Sequence, residues 1–338
     1  MPQWLIDTGF IALGATLLVL AADWLVMGAS AIARRLGVSP FVVGLTVCAF
    51  GTSAPELATS VRDAIKGSGA IALGNVVGSN IANIGLILAL TACVRPIPVH
   101  AQAVRKEVPT MIGVTLIGIV VMLGGTVERW EGGLLVAGIV WYTLDAYRSA
   151  KRKGSEERRL AEELAREMVP DAASESTNES PSGAPAGFWL KNLALLALGV
   201  VGLAAGADRL VHGASSLART MGVPEVAIGL TLVAVGTSLP ELATSVRAAM
   251  KGEIDLAVGN ILGSNVFNIL CVMGLTSLVR PIAVPEEILR RDAWVMLAMA
   301  AGCMPIVLNG RRVHRLEGGI LLTAYIAYCA WLYRASMG

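Results

Sequence analysis

The feature that most constrains this chain is a duplication that keeps its polar residues better than its apolar ones. GLTVCAFGTSAPELATSVRDAIKG (44–67) returns as GLTLVAVGTSLPELATSVRAAMKG (229–252), a shift of 185 residues. At the same shift GNVVGSNIANI (74–84) returns as GNILGSNVFNI (259–269), and Val94-Arg95-Pro96 as Val279-Arg280-Pro281. Aligning 44–96 with 229–281 gives 31 identities in 53 positions. Weaker echoes flank this block. Asp23 with Gly28-Ala29-Ser30 matches Asp208 with Gly213-Ala214-Ser215, and Glu131-Gly132-Gly133 matches Glu317-Gly318-Gly319 one residue out of step. Two greasy segments alike by chance would share leucines and valines; these share Glu, Asn, Ser, Thr and Arg.

The medium in which the repeats fold follows from composition. Of 338 residues 55% are hydrophobic and 15% charged, against about 25% charged in soluble domains. An apolar span needs roughly 20 residues to cross a ~30 Å hydrocarbon layer. Five spans precede residue 148 (5–33, 40–66, 70–93, 105–124, 131–148) and five follow residue 187 (188–217, 224–250, 254–279, 290–308, 316–333). Residues 1–22 lack the basic start of a signal peptide and read as part of a first helix that is retained. Between the halves, 149–187 begins as a charged helix and passes into a Ser/Pro/Gly linker. The expected fold is an all-α membrane protein of ten transmembrane helices. Its first half is 1–148, its linker 149–187 and its second half 188–338.

Five spans is an odd number, so the second half must cross the membrane in the opposite sense. Such inverted repeats place substrate sites near the midplane, where the halves meet. With the N-terminus outside, 18 of the 27 Lys and Arg fall on the cytoplasmic side, which makes the linker cytoplasmic under the positive-inside rule. The expected location is the plasma (inner) membrane, multi-pass. A net charge of +2 gives no argument for nucleic acid. The five cysteines form no CxxC pair, and the three histidines (His100, His212, His314) lack ligand spacing.

Glu56 and Glu241 sit in the middle of apolar spans, where an ionised carboxylate costs a few kcal/mol or more and calls for a reason. No Lys or Arg lies at helical spacing on the core side of either. Symmetry brings them to equivalent places, and two facing carboxylates repel unless a cation lies between them. Both follow a proline, whose ring clashes with the carbonyl four residues back, here Gly51 and Gly236. The helix should break there and leave carbonyls at 49–52 and 234–237 without intrahelical partners. Hard cations take carbonyl, hydroxyl and carboxylate oxygens. The motif offers carbonyls near Ala49 and Thr52, hydroxyls of Thr52 and Ser53, and the Glu56 carboxylate, mirrored by Thr237, Ser238 and Glu241.

The second motif adds Asn75, Ser79 and Asn83 on one helical face, repeated as Asn260, Ser264 and Asn268. Gly74, Gly78, Gly259 and Gly263 have the small-xxx-small spacing of closely packed helices. Asp23 and Asp208, also inside apolar spans, read as structural, and Arg62 and Arg247 as residues that snorkel to the interface.

Together GTSAPELATS with GNVVGSNIANI, and GTSLPELATS with GNILGSNVFNI, resemble the two alpha-repeats of the sodium/calcium exchanger family within the cation/calcium antiporters. The resemblance implies ten helices, a central Ca²⁺ site flanked by Na⁺ sites, and alternating access without a cofactor. It assigns Ca²⁺ to the carboxylates of Glu56 and Glu241 and the carbonyls of Thr52 and Thr237. It assigns Na⁺ to the carbonyls of Ala49 and Ala234 with Ser79 and Ser264, and lines the middle with Ser53, Ser238, Asn83 and Asn268. Sodium-dependent members often carry Asp where this chain has Asn268, so its site holds two acids rather than three. Proton-coupled relatives tend to carry an acid where this chain has Gly78 and Gly263.

The expected activity is therefore Na⁺/Ca²⁺ antiport within a lipid bilayer. The alternative of the same fold is H⁺/Ca²⁺ antiport with the glutamates carrying protons. A passive divalent channel would need a continuous polar lining, and polar residues cluster only near mid-membrane. A membrane Ca²⁺ sensor would need a DxDxDG loop, which 148–187 lacks. No nucleophile–base constellation points to an enzyme.

Overall fold

The computed structural model describes residues 2–66, 70–98, 106–168, 186–223, 234–310 and 312–335. Almost all of these are helical. The first half holds α1 (Gln3–Leu36), α2 (Pro40–Thr52), α3 (Ala54–Lys66), α4 (Ile71–Val94), α5 (Val108–Met122) and α6 (Arg129–Met168). The second holds α7 (Ala186–Thr220), α8 (Ala234–Thr237), α9 (Leu239–Lys251), α10 (Ile254–Val279), α11 (Ala293–Gly310) and α12 (Arg315–Ala335). Among the described residues five helices are long and apolar enough to span a bilayer, and α2 with α3 forms a sixth span bent by 41°. Residues 224–233 of the expected seventh span, His100, and the linker beyond Met168 lie outside the described residues. The charged helix expected after residue 148 is no separate element: it continues α6 without a break to Met168, since nothing from Arg148 to Met168 is a Pro and one Gly alone does not stop a helix.

Local chemistry repeats with the sequence. α1 ends at Gly37 in the left-handed region (φ 64), with its N–H on the Ala33 and Arg34 carbonyls. Gly222 closes α7 in the same conformation (φ 79). Ser39 caps α2 by accepting the Val42 N–H at 3.4 Å, with Pro40 at the first helical position.

Packing sorts the helices into an inner and an outer set. α10 is buried throughout, and α4 nearly so. α1, α7 and α12 instead expose Trp4, Val19, Leu198, Val201, Ile320 and Trp331. Apolar side chains on the outer surface suit lipid, not water. Gly259 and Gly263 face the backbone of α2, and a methyl at either would collide with a carbonyl oxygen, Phe41 or Leu45. The glycine spacing thus lets α10 lie directly on the broken helix. α1 and α7 run antiparallel along their length, with Gly14, Gly28, Gly206 and Gly213 against partner backbone.

Two short antiparallel ladders tie the halves together. β1 (Ile97–Pro98) pairs with β4 (Arg312–Val313), and β2 (Thr126–Val127) with β3 (Ile282–Ala283). Each joins a loop of one half to a loop of the other.

Arg247 does not snorkel. Its Nε and Nη2 donate to Asp23 Oδ1 and Oδ2 at 2.8 and 2.6 Å, and Lys251 Nζ lies 3.0 Å from Oδ1. A carboxylate within reach outcompetes a longer path to water, so Asp23 bonds a neighbouring helix. Asp208 is instead exposed, 3.8 Å from its neighbour Arg209.

Candidate cation site at the crossing of two broken helices

The breaks fall where the prolines require. Between α2 and α3, Ser53 leaves helical geometry (φ −86, ψ 7), and between α8 and α9 Ser238 does the same (φ −88, ψ 4). Each break is followed within three residues by a glutamate on the first turn of the next helix. A helix N-terminus is the favourable end for a carboxylate.

Glu56 and Glu241 are both 1% exposed. Among the described residues neither oxygen of Glu56 has a hydrogen-bond partner, and Glu241 Oε2 has none. Glu241 Oε1 accepts the Ser53 hydroxyl at 2.7 Å, a contact from one half to the other. Ser264 Oγ, Asn268 Oδ1 and both amide atoms of Asn83 are also buried without partners among the described residues. A buried, unpaired polar atom costs on the order of 1–3 kcal/mol in proteins, and a charged one more. Three bare carboxylate oxygens among neutral oxygens are the chemistry that a desolvated cation completes. Among the described residues no group of three or more His, Cys, Asp or Glu converges.

Of the carbonyls expected to be free, that of Ala49 is not: it accepts the Ser53 N–H at 3.0 Å. The proline removes only its own N–H, and the break at Ser53 still closes the preceding turn. Its second lone pair carries at most a long contact from Thr52 Oγ, 3.5 Å. Ala234 opens α8. Thr52 is fully buried and Thr237 partly so.

The hydroxyls of the two threonines are held by a symmetric relay. Thr52 Oγ donates to Asn260 Oδ1 at 3.2 Å, and Asn260 Nδ2 donates to Ser245 Oγ at 3.0 Å. In the other half Thr237 Oγ donates to Asn75 Oδ1 at 3.2 Å, and Asn75 Nδ2 to Ser60 Oγ at 3.1 Å. Asn75 and Asn260 therefore orient the broken segments of the opposite half. The one sequence signal for Ser60 and Ser245 is the repeated ATS that follows each glutamate. Asn80, likewise, holds Asn268 by accepting its Nδ2 at 3.2 Å.

Symmetry fails at the serines. Ser53 Oγ reaches Glu241, whereas Ser238 Oγ turns to Ser79 Oγ at 3.3 Å. Asn83 and Asn268 each begin a π-helical stretch, Asn83–Leu88 and Asn268–Met273. Such widened turns are frequent at functional sites. Of the expected set, the structure joins Ser53 to Glu241, Ser238 to Ser79 and Asn268 to Asn80, and it buries Glu56, Ser264 and Asn83.

Comparison with known proteins identifies the family. The chain is 33% identical over 348 residues to the sodium/calcium exchanger MaX1 of Methanosarcina acetivorans, covering 96% of this chain and 97% of that one. It is 35% identical over 337 residues to the inner membrane protein YrbG of Escherichia coli, covering 97% of each. Solved structures of the sodium-calcium exchanger NCX_Mj superpose with a TM-score of 0.80 at 28% identity, over 97% of this chain and 99% of that one. The family model described as sodium/calcium exchanger protein matches residues 6–145 and 191–334, both halves and both glutamates. Duplicated breaks, duplicated acids and whole-chain similarity coincide, and the chain belongs to the sodium/calcium exchanger protein family.

Proposed function

We propose that this protein is a secondary active antiporter that exchanges Na⁺ for Ca²⁺ by alternating access across the plasma (inner) membrane. The N-terminus lies outside and the linker 149–187 is cytoplasmic, as the charge distribution favours. The carrying observation is the pair of buried glutamates, one per half, with three of four carboxylate oxygens unpartnered.

Ca²⁺ binds between the Glu56 and Glu241 carboxylates and the carbonyls of Thr52 and Thr237. Na⁺ binds at the carbonyls of Ala49 and Ala234, with Ser79 and Ser264. Ser53, Ser238, Asn83 and Asn268 line the space between. The two ion sets compete for the same carboxylates. Differential affinity for the two access states converts the Na⁺ gradient into Ca²⁺ movement. The proton-coupled alternative is not favoured, because the matched proteins whose names state an ion pair are sodium/calcium exchangers.

The test is ⁴⁵Ca²⁺ uptake into proteoliposomes loaded with Na⁺ and diluted into Na⁺-free or Na⁺-containing buffer, with a parallel set carrying only a pH gradient. Uptake that requires the outward Na⁺ gradient is expected. Uptake driven by the pH gradient and indifferent to Na⁺ would overturn the reading.

A further inference from the structure

The duplication carries a second charged set that the ion site does not use. At the shift of 185, Asp23, Arg247 and Lys251 are matched by Asp208, Arg62 and Lys66. The first set is assembled. Asp23 takes a two-pronged bond from Arg247 and an ion pair from Lys251, joining α1 to α9. The second set is apart. The Asp208 side chain is 73% exposed against 21% for Asp23, and among the described residues its one ion contact is the adjacent Arg209. Arg62 and Lys66 are exposed, and among the described residues no ion pair joins either to Asp208. The helices follow the charges: α1 packs along α9, while its counterpart α7 makes no more than marginal contact with α3.

Identical chemistry in two unequal arrangements needs a mechanical link, and the fold has one. α1 and α7 are joined backbone to backbone along their glycine seam, which couples a movement of either helix to the other. Because they run antiparallel, a slide that carries Asp208 toward Arg62 withdraws Asp23 from Arg247. The engaged clasp lies toward the linker side. There the C-terminal end of α1 also meets the end of α9 through Arg34 and Glu253 (3.0 Å), and Arg95 reaches the Ala249 carbonyl at 3.4 Å.

We propose that the two sets are alternating gate clasps: Asp23 with Arg247 and Lys251 holds the linker-side approach shut, and Asp208 with Arg62 and Lys66 closes the opposite approach in the other access state. These are positioning residues, acting on access and not on the ions. Matched chemistry at the two gates keeps the two states close in free energy, which reversible exchange requires. One charged clasp is strong enough to tip that balance by about tenfold. The proposal rests on the alternating-access reading of the central site, but not on which ions it carries.

The experiment uses the full chain in proteoliposomes with Cys48, Cys93, Cys271, Cys303 and Cys329 replaced by serine or alanine. Asp208→Cys with Arg62→Cys is then treated with a short bifunctional thiol reagent, with Na⁺, with Ca²⁺ and with neither. Cross-linking is expected, and adding Asp23→Asn should raise its rate about tenfold by releasing the engaged clasp. Exchanging the charges (Asp23→Arg with Arg247→Asp) should return the rate toward its starting value. That pair also carries the test if Asp23→Asn fails to fold. No cross-link under any ionic condition, or a rate indifferent to both changes at Asp23, would overturn the proposal. The readout needs no flux, so the flux assay judges the ion reading separately.

Discussion

The two broken helices share GTSxPELATSVR, yet their serines do different things. Both serines cross to the other half, but Ser53 donates to Glu241 while Ser238 donates to Ser79 and, among the described residues, leaves Glu56 without a donor. The threonine–asparagine–serine relays, by contrast, are equal within 0.1 Å in their second bond (3.0 and 3.1 Å) and identical in their first (3.2 Å). What holds the breaks in place is symmetric; what touches the carboxylates is not. A site built by duplication can keep two copies of its scaffold in register while its ligand groups occupy two positions. An exchanger that binds two kinds of ion in one cavity has use for that freedom.

The largest expected effect comes from removing either acid. Glu56→Gln or Glu241→Gln should lower Na⁺-dependent ⁴⁵Ca²⁺ uptake more than ~100-fold with expression intact, since losing one member of a buried charged set costs ~3–5 kcal/mol. Near-normal uptake by either variant would sink the assignment of both. The serines sharpen the contrast. Ser53→Ala removes a bond to a charged acceptor, worth ~1.5–3 kcal/mol, and Ser238→Ala one between hydroxyls, worth ~0.5–1.5 kcal/mol. Apparent Ca²⁺ affinity should therefore fall about tenfold or more in the first and only a few-fold in the second. Equal losses would show that the asymmetry has no bearing on the bound state.

Asn268→Asp breaks the balance from the other half. Asn268 Oδ1 is buried without a partner, and its Nδ2 leans on Asn80. A third carboxylate there strengthens attraction for monovalent ions, by less than the ~4 kcal/mol of an unscreened pair at an effective dielectric of ~20, because the new charge is also desolvated. The Na⁺ concentration that halves Ca²⁺ uptake should drop several-fold. An unchanged value would place Asn268 outside the competition for Na⁺.

Much of this was legible in the sequence because the same constraint was written twice. A proline before a glutamate, seen once, is a kink beside a stray charge; seen again at the same offset with the same hydroxyls, it is half of a site. The breaks at Ser53 and Ser238 follow from that, as does the burial of Ser79, Asn83, Ser264 and Asn268. Pairings between the halves were not legible, because spacing along one chain says nothing of which side chain crosses to which. Ser60 and Ser245 therefore went unremarked, Arg247 read as a snorkelling residue, and the β1–β4 and β2–β3 ladders left no mark in two-residue segments, one of which holds Pro98. Nor can a duplicated sequence show which of two equivalent arrangements is engaged, as at Asp23 and Asp208.

A pair of tyrosines offers the mildest comparison. Tyr142 Oη donates to Glu107 Oε2 at 3.0 Å, and at the matching place Tyr328 Oη donates to Asp292 Oδ1 at 2.8 Å. Both bonds pin the fifth span of a half to its fourth. The surroundings differ, for Asp292 also receives Arg291 through two bonds, at 2.6 and 3.1 Å, whereas the one hydrogen bond to the buried Glu107 carboxylate among the described residues is that of Tyr142. Removing the tyrosine hydroxyl should thus strand one carboxyl and leave the other paired. Tyr142→Phe is expected to cost ~1–3 kcal/mol and Tyr328→Phe ~0.5–1.5 kcal/mol. In detergent the first variant should melt a few degrees lower than the second, with Ca²⁺ affinity unchanged in both. The same shift in both would mean that Arg291 contributes nothing to holding Asp292, and that the two halves are equally stapled despite their different charges.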